Sequence, residues 1–428
     1  MPVRRPDRPP SLVFANARGE ILDYPGLRMA GASCGRFALP EPEDLIELPP
    51  GSELFVLPDR LPVGINPDTG EAELLESDPY EGTVPQAVAA FMAPAHTSIF
   101  TAAYQTGDNA PLLPLFAYSA VGWHRGKFWV AGFRSDRDPR QDAAGFRQEQ
   151  INRRTRIMLG QHPANRLIQH LGKCCLTYGC PAARNYFLGR WEAPLPTSPA
   201  CNAACLGCIS LQPSGCCPAT QDRIKFVPTP AEITEIAVPH LKGAKRAIVS
   251  FGQGCEGEPL LQAKTIAQAI REIRAHTGSG TINLNSNASL PEAVERLISA
   301  GLDSIRVSMN SARPEMHQRY YRPRGFSLAD AKASIRLMKK AGRHVSLNYF
   351  VLPGFTDDPA EFAALCDLLA DCRPDLIQLR NLNMDPEWYR REIGHQPVGE
   401  AMGIRAWLHR LKSRFPLLRF GYFNPALR

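Results

Sequence analysis

A chain of 428 residues exceeds the usual size of a single hydrophobic core, so its length predicts two domains, or one large α/β domain with an extension. Its apolar share of 44% is enough for a full core, and no run approaches the roughly 20 apolar residues of a membrane helix or the apolar core of an export signal. These features exclude a membrane-spanning chain and predict a cytoplasmic protein with no membrane partner. The net charge of +7 permits a nucleic-acid or acidic partner without indicating one.

Residues 1–165 are predicted to form a β-rich amino-terminal region. Short β-like runs alternate there with proline, glycine and aspartate, and GWHRGKFWV is typical of a β-hairpin. A polar helix is expected around 143–171. Residues 166–191 then form a connector that carries cysteines.

From residue 192 onward, segments typical of strands and helices alternate up to residue 395, and a carboxy-terminal helix and tail follow over 396–428. Six such β/α units with short links predict an α/β fold with a parallel sheet covered by helices. In folds of this kind the chemistry gathers at the carboxyl ends of the strands. The expected strands are 193–198, 247–251, 281–286, 304–310, 345–352 and 376–382.

The cysteines are the most informative residues, because eight of the 12 lie between residues 174 and 217. Directly after the first predicted strand, Cys201, Cys205 and Cys208 have the spacing C-x3-C-x2-C. Three thiolates on one loop can hold three irons of a cubane cluster and leave the fourth iron open. A structural zinc or a closed cluster is the alternative, since Cys216 or Cys217 could supply a fourth ligand.

A second motif follows the strand at 247–251, where Gly252, Gly254 and Gly257 have the spacing G-x-G-x-x-G. A dinucleotide-binding turn also needs an acidic residue near the end of the next strand. That strand, TINLNSNAS, offers only asparagine and serine. The glycines therefore do not indicate a nicotinamide or flavin site.

The cysteine triplet and the segments behind the later strands resemble the radical S-adenosylmethionine (radical SAM) superfamily over roughly residues 192–390. The resemblance implies a partial (βα)6 TIM-like barrel, a [4Fe-4S] cluster on Cys201, Cys205 and Cys208, and S-adenosylmethionine on the open iron. It also implies an external low-potential electron donor. The cofactor-binding residues that it implies are Gly257, Glu258 and Pro259 after the second strand, Asn285 and Asn287 after the third, and Ser308 and Asn310 after the fourth.

Two positions depart from the family's pattern. The residue before the third cysteine is often aromatic in the family and contacts adenine, but here it is Gly207. Cys255 and Glu256 precede Gly257 where a second glycine is common. The residue that contacts adenine is therefore not identified by the sequence.

The other cysteines near the triplet leave alternatives open. They could bind an auxiliary iron–sulfur cluster, act on a substrate radical, or be reduced structural thiols; they are Cys174, Cys175, Cys180, Cys216, Cys217 and Cys255. A carboxylate could be bound by Arg313, His317, Arg319 or Arg322, and Arg322 is slightly favoured among them. A solvated, salt-bridged helix start explains most of these residues somewhat better.

The resemblance implies an enzyme that reductively cleaves S-adenosylmethionine to a 5′-deoxyadenosyl radical, which then takes hydrogen from a substrate. Peptides, RNA and small molecules are all candidate substrates. Because the radical must be shielded from water, residues 1–165 are expected to cap the barrel mouth, which favours a peptide or another large substrate. The alternative function is a non-catalytic zinc or iron–sulfur protein that binds RNA.

Overall fold

The computed structural model describes residues 5–212, residue 215 and residues 217–428. Its strands, in chain order, are β1 (Ser11–Ala15), β2 (Ile21–Met29), β3 (Gly31–Ser33), β4 (Arg36–Ala38), β5 (Leu45–Glu47), β6 (Glu53–Leu57), β7 (Arg60–Ile65), β8 (Ala72–Leu74), β9 (Gln86–Phe91), β10 (His96–Ser98), β11 (Thr101–Ala102), β12 (Tyr104–Thr106), β13 (Val121–His124), β14 (Lys127–Arg134), β15 (Glu192–Leu195), β16 (Ile248–Phe251), β17 (Thr281–Ser286), β18 (Ser304–Met309), β19 (His344–Val351), β20 (Leu376–Asn381) and β21 (Arg419–Gly421).

The α-helices are α1 (Gln148–Gln161), α2 (Arg166–Leu176), α3 (Pro181–Phe187), α4 (Pro230–Gly243), α5 (Ala263–His276), α6 (Pro291–Ala300), α7 (Pro314–Tyr321), α8 (Leu328–Lys340), α9 (Pro359–Cys372), α10 (Pro386–Ile393) and α11 (Ile404–Arg414). In the described part of the chain, no helix has both the length and the hydropathy needed to cross a membrane.

The chain divides into two compact units, and each is built from several segments. The first unit contains the residues up to Arg137 together with Phe350–Ala363 and Leu379–Pro416. The second contains Asp138–Tyr349, Ala364–Gln378 and Leu417–Arg428.

The first unit is built on a large antiparallel sheet, which confirms the prediction of a β-rich amino-terminal region. Strands β10, β14, β13, β1, β2, β7 and β12 follow one another across it, and β3 pairs with β4 and β11 in a separate small sheet. The predicted hairpin is formed by β13 and β14, whose register joins His124 to Lys127. Arg125 and Gly126 both have positive φ, as a two-residue hairpin turn requires.

Later segments of the chain pack into this first unit through a buried ion pair. Arg60 Nη2 lies 2.8 Å from Asp385 Oδ2, and the two side chains are only 3% and 4% exposed. Asp385 also caps the start of α10, since its side chain accepts hydrogen bonds from the backbone N–H groups of Glu387 and Trp388. The β-rich region therefore does not end as a folding unit at residue 137.

The second unit carries the βα repeat. One sheet runs in the order β15-β16-β17-β18-β19-β20-β21, and the pairings from β15 to β19 are parallel, as is that of β20 with β21. All six predicted strands are present, and α4, α5, α6, α8 and α9 match the predicted helices. Every residue of β16 and β17 is buried, as expected for a sheet covered on both faces.

Three details differ from the sequence prediction. The helix expected around 143–171 is divided into α1 and α2, because Asn165 accepts a hydrogen bond from Ile168 N and caps a new helix start. The sequence predicts an interruption of the helix at 230–241 near Pro239, because proline lacks a backbone donor, but Pro239 lies inside α4 without ending it. The tail contains β21, a strand of three residues that is too short to be detected from its hydrophobic pattern.

Candidate active site

The three cysteines of the triplet lie on the loop that follows β15, and all three are half-buried. Burial raises the pKa of Cys201 and raises that of Cys205 far above its usual value, and the neighbouring thiols add to the effect on Cys205. A thiolate in this setting needs a nearby positive charge, and a bound metal supplies one. The loop therefore has both the ligands and the electrostatic reason to bind a metal group.

The backbone of α7 holds this loop in place. Ala204 N donates to Tyr321 O at 2.9 Å, and Leu206 N donates to Tyr320 O at 3.1 Å. The segment between the first and third cysteines is therefore tied to the carboxy-terminal end of α7. Backbone hydrogen bonds of this kind orient the thiols without using any side chain of the loop.

The turn after β16 lies directly against the start of the cysteine loop. Gly257 N donates to Ser198 O at 2.7 Å, and Glu258 N donates to Ala200 O at 2.9 Å. A Cβ atom at position 257 would lie 1.9 Å from Ala200 O, so no other residue fits there without a backbone shift. The glycine in this motif is required by the approach of the two loops.

Glu258 joins the same turn to the end of β17. Its carboxylate accepts hydrogen bonds from Ser286 Oγ at 2.6 Å, from Asn287 N at 2.9 Å and from Leu260 N at 3.0 Å. The side chain is fully buried, and this burial raises the pKa of Glu258 to about 7. Glu258 is thus held rigidly at the carboxyl edge of the sheet, where the sequence predicted a cofactor contact.

Glu256, which the sequence reasoning did not select, has a parallel role. Its carboxylate accepts hydrogen bonds from Thr197 N at 2.7 Å, from Ser198 N at 2.9 Å and from Gln253 N at 2.7 Å. Burial raises its pKa to about 7 as well. Glu256 therefore anchors the segment between β15 and the first cysteine of the triplet.

Asn285 and Asn287 come from the end of β17, and each bonds to a neighbouring loop. Asn285 Nδ2 donates to Gly252 O at 2.8 Å, and a Cβ atom at position 252 would lie 1.7 Å from Asn285 O. Asn287 Nδ2 donates to Asn202 Oδ1 at 2.9 Å. Since Asn202 lies between the first two cysteines, the structure brings Asn287, Glu258 and the cysteine loop together.

Ser308 and Asn310 lie at the carboxyl end of β18, on the same edge of the sheet. Ser308 is half-buried and is in register with Asn348 on β19. Asn310 is fully buried, and its Nδ2 donates to Met316 O at 3.3 Å. All seven predicted cofactor residues therefore lie on the turns or strand ends at this edge.

One buried face of this sheet carries a polar network, which the sequence reasoning missed. Ser250 Oγ donates to Glu192 Oε1 at 2.5 Å, and Asn283 Nδ2 donates to Ser250 Oγ at 3.1 Å. Asn424, from the carboxy-terminal tail, donates to Glu192 Oε1 at 2.8 Å and accepts from Gln378 Nε2 at 2.9 Å. These contacts join residues that are far apart in the sequence, so no local pattern could have revealed them.

Arg223 is a second residue that the sequence did not indicate. Its Nη2 lies 3.4 Å from Cys208 Sγ, and its Nε donates to Ser210 Oγ at 3.1 Å. This contact places the positive charge of the guanidinium directly beside the Cys208 sulfur. Arg223 is therefore part of the charge environment of the triplet.

Two of the four candidate carboxylate-binding residues lack a free positive charge. His317 packs against the Tyr321 ring with ring centroids 4.5 Å apart, and burial lowers the pKa of His317 to about 4. Its imidazole is therefore neutral at pH 7. Arg313 pairs with Glu315 at 2.7 Å. We therefore do not assign an anion site to this helix start.

The remaining cysteines do not join the triplet in one group. Cys174 and Cys255 converge with His170, and this group includes none of the three cysteines of the triplet. Cys217 is buried, and Cys216 lies outside the described residues. Within the part of the chain that the structure describes, no finding supports an auxiliary iron–sulfur cluster.

Comparison with protein families identifies the βα region. Residues 195–366 match the model of the Radical SAM superfamily. The match covers the cysteine triplet, the turn after β16 and strands β16 to β19. The resemblance seen in the sequence is thereby confirmed, and members of that superfamily are enzymes that bind S-adenosylmethionine and an iron–sulfur cluster.

Two curated proteins are similar to parts of this chain. A probable dual-specificity RNA methyltransferase RlmN of a Synechococcus strain is 28% identical over 152 residues, which are 34% of this chain and 40% of that protein. A GTP 3′,8-cyclase of Aquifex aeolicus is 34% identical over 103 residues, which are 24% of this chain and 32% of that protein. The chain thus spans less than half the length of each.

Solved structures with a similar arrangement include methylornithine synthase (PylB), at a TM-score of 0.38 and 15% identity over 57% of this chain and 68% of that one. A radical SAM methyltransferase from Sphaerobacter thermophilus has a TM-score of 0.38 and 15% identity, and the match covers 54% of this chain and 66% of that one. Streptococcus suis SuiB bound to S-adenosylmethionine has a TM-score of 0.37 and 14% identity, and the match covers 56% of this chain and 54% of that one.

Proposed function

We propose that this chain, which belongs to the radical SAM superfamily through residues 195–366, is an enzyme that cleaves S-adenosylmethionine reductively and turns the resulting radical on a substrate. The sheet from β15 to β21 is proposed to be the partial (βα)6 barrel of that superfamily. An external low-potential electron donor completes the proposal. The reaction subtype is left open, because the names of the two curated relatives describe different reactions, on RNA and on GTP.

The observation that carries the proposal is the convergence of the cysteine loop with the turn after β16. Gly257 and Glu258 bond through their backbone to Ser198 and Ala200, which immediately precede Cys201. Three thiols, a buried carboxylate and the strand-end asparagines therefore lie on adjoining, mutually bonded loops. This donor set fits a cluster held by three thiolates, as proposed for Cys201, Cys205 and Cys208.

When bound, the [4Fe-4S] cluster would supply the electron for cleavage of S-adenosylmethionine to a 5′-deoxyadenosyl radical. The chain's own residues hold and orient the reactants. Glu258 offers a buried carboxylate for the ammonium group of the methionine part, and Gly257 and Pro259 shape the turn that carries it. Asn285, Asn287, Ser308 and Asn310 are proposed to contact the nucleoside, since they end neighbouring strands on the same edge.

The proposed substrate is a peptide or another large molecule, and this part rests on the expectation that residues 1–165 supply substrate contacts. Deletion of that region is a poor test, because Arg60 forms a buried pair with Asp385 from a much later segment. Removing one partner leaves an uncompensated buried charge, which is strongly destabilising. Substitutions of exposed residues in the first unit are the better approach.

The test of the proposed function is the formation of 5′-deoxyadenosine by anaerobically reconstituted and reduced protein. The wild type is expected to form it and to contain iron, whereas the triple variant C201A/C205A/C208A should lose both. Cys372→Ala, a buried cysteine of α9, is the matched control and should retain both. Unchanged 5′-deoxyadenosine formation in the triple variant would overturn the proposal, and iron-free wild-type protein would favour the non-catalytic alternative.

A further inference from the structure

A second group of metal-type ligands lies outside the proposed cluster site. His170 and Cys174 are four residues apart on α2, so they lie on the same face of the helix. Cys255 reaches the same point from the turn after β16. The ligand atoms of these three residues all lie within 4.8 Å of one another, and no other such group occurs among the described residues.

From this geometry we propose that His170, Cys174 and Cys255 bind a single zinc ion. Cys180, whose sulfur is not among the converged atoms, would turn in as the fourth ligand when the ion binds. His170 Nε2 and Cys174 Sγ are 3.6 Å apart. A tetrahedral zinc with ordinary Zn–N and Zn–S bond lengths separates a nitrogen and a sulfur ligand by roughly 3.6 Å. The pair is therefore already spaced as two ligands of one zinc ion.

The fourth ligand is chosen from the local path of the chain. After α2 the backbone turns back through Gly179, whose φ of 64° is left-handed, and Cys180 N donates to Cys174 O at 3.0 Å. This turn keeps Cys180 beside α2 at the start of α3. A structural zinc site takes four closed protein ligands, and three thiolates with one imidazole are a common set.

A mononuclear zinc fits this group better than a second iron–sulfur cluster does. The thiolates of a cubane cluster bind different irons, so their sulfur atoms are spread around the cluster, whereas the ligand atoms of one ion converge. The group observed here converges and includes an imidazole. Cys174 and Cys255 are only 2% and 5% exposed, so the ion would be largely shielded from solvent.

The ion would join two parts of the second unit that support the proposed active site. Cys255 directly precedes Glu256, whose carboxylate holds the start of the cysteine loop. The carbonyl of Cys255 also accepts a hydrogen bond from Ile224 N at 2.8 Å, next to Arg223. A zinc ion bound here would fix the turn after β16 against α2, and its role would be structural.

The test is metal analysis of the full-length protein purified anaerobically, with variants of the two sites compared. The wild type should contain about one zinc per chain in addition to iron. Cys174→Ser and Cys255→Ser should lose most of the zinc and keep the iron, whereas C201A/C205A/C208A should lose the iron and keep the zinc. Cys175→Ser is the matched control, because Cys175 is the buried neighbour on α2 whose Sγ lies 3.4 Å from Thr155 Oγ1.

X-ray absorption at the zinc edge of the wild type provides a measurement that does not depend on whether any variant folds. One nitrogen and three sulfur ligands are expected. Zinc-free wild-type protein, zinc retained in Cys174→Ser, or a zinc edge without sulfur ligands would each overturn the proposal. It would also be overturned by iron that remains in C201A/C205A/C208A and is lost when Cys174→Ser is added, which indicates a second cluster. An intact mass lighter by two hydrogens, which indicates a Cys174–Cys255 disulfide, would overturn it as well.

Discussion

The two units bury different kinds of side chain along their strands. In the first unit, one face of the large sheet is covered by small and branched apolar residues such as Val13, Val88 and Val130. In the second unit, β16 and β17 bury Ser250, Asn283 and Asn285 just as deeply, and each is hydrogen-bonded. An apolar face contributes to a hydrophobic core. A face of hydrogen-bonded polar side chains is costly to bury, so its presence indicates the side of the sheet that carries the candidate active site.

The largest effect is expected where the loops of the second unit touch. Gly257→Ala places a Cβ atom against Ala200 O at 1.9 Å, so the turn and the cysteine loop must separate. We expect loss of most bound iron and destabilisation by several kcal/mol, since backbone atoms cannot yield as flexible side chains do. Iron content and chemical denaturation measure these effects.

Gly160→Ala is the matched control for that substitution. Gly160 lies inside α1, and a Cβ atom there meets nothing within 4 Å. Alanine favours a helix over glycine by about 1 kcal/mol, so this variant should be as stable as the wild type or more so. If both alanine variants retain full iron, the close approach of the two loops does not support the site.

Asn283 and Val130 represent the polar and the apolar buried face, so substitutions of these two residues compare the two faces directly. Asn283→Leu leaves Ser250, Asn285 and Ser304 without their amide partner, and an unpaired buried polar group costs about 1–3 kcal/mol. Val130→Ala, in the first unit, removes only two methyl groups and should cost roughly 2 kcal/mol. Denaturation, monitored separately in each unit, should show a larger loss of unfolding free energy for Asn283→Leu than for Val130→Ala. A smaller loss for Asn283→Leu would mean that the polar network contributes less to stability than the apolar packing around Val130.

The sequence revealed the apolar and the local features of both units, and it missed the features that depend on distant contacts. The βα alternation, the hairpin of β13 and β14 and the cysteine spacing are local, and all were recognisable. The tail residue Asn424 meets Glu192 across 232 positions, and Arg223 meets Cys208 across 15 positions. No periodicity encodes such pairs, because three-dimensional folding alone brings them together.

The glycines of the turn after β16 also depend on contacts with distant residues, which the sequence does not identify. The resemblance implies a cofactor contact for Gly257, and the structure adds that Gly252 and Gly257 are required by close approach to the backbone of Asn285 and Ala200. A sequence can indicate that a Cβ is excluded at a position, yet it does not indicate which atoms exclude it. The convergence of His170 with Cys255 was missed for a similar reason, since the two residues lie on separate elements.

His317 gives the second unit a pH-dependent contribution to its stability. Burial lowers the pKa of His317 to about 4 from its usual value of 6.5, so the folded state binds fewer protons than the unfolded state between these limits. Stability should therefore be lost as the pH falls from 6.5 to 4, by up to about 3 kcal/mol. His317→Phe should flatten the profile measured by denaturation at pH 7 and pH 5. An unchanged slope would show that His317 is not the responsible group.

Glu258 tests whether a buried polar residue of the second unit also binds the cofactor. Glu258→Gln removes the charge that is proposed to meet the ammonium group of S-adenosylmethionine, and a charge-assisted hydrogen bond is worth about 1.5–3 kcal/mol. Affinity measured by calorimetry should fall accordingly while the iron content is kept. Glu256→Gln, which removes a charge from the same turn, should instead lower iron retention. Equal affinity in Glu258→Gln and the wild type would refute the assignment.

The smallest effect concerns Arg223, which lies beside the thiols rather than on the sheet. Its guanidinium donates to Cys208 Sγ at 3.4 Å, and hydrogen bonds to the sulfur ligands of a cluster stabilise the reduced, more negative state. Arg223→Gln should therefore lower the reduction potential by tens of millivolts without loss of iron. A redox titration followed by electron paramagnetic resonance measures the shift, and Lys225→Gln, in the same segment, is the control and should show none. An equal shift in both variants would mean that the net positive charge of the segment, and not the bond to Cys208, sets the potential.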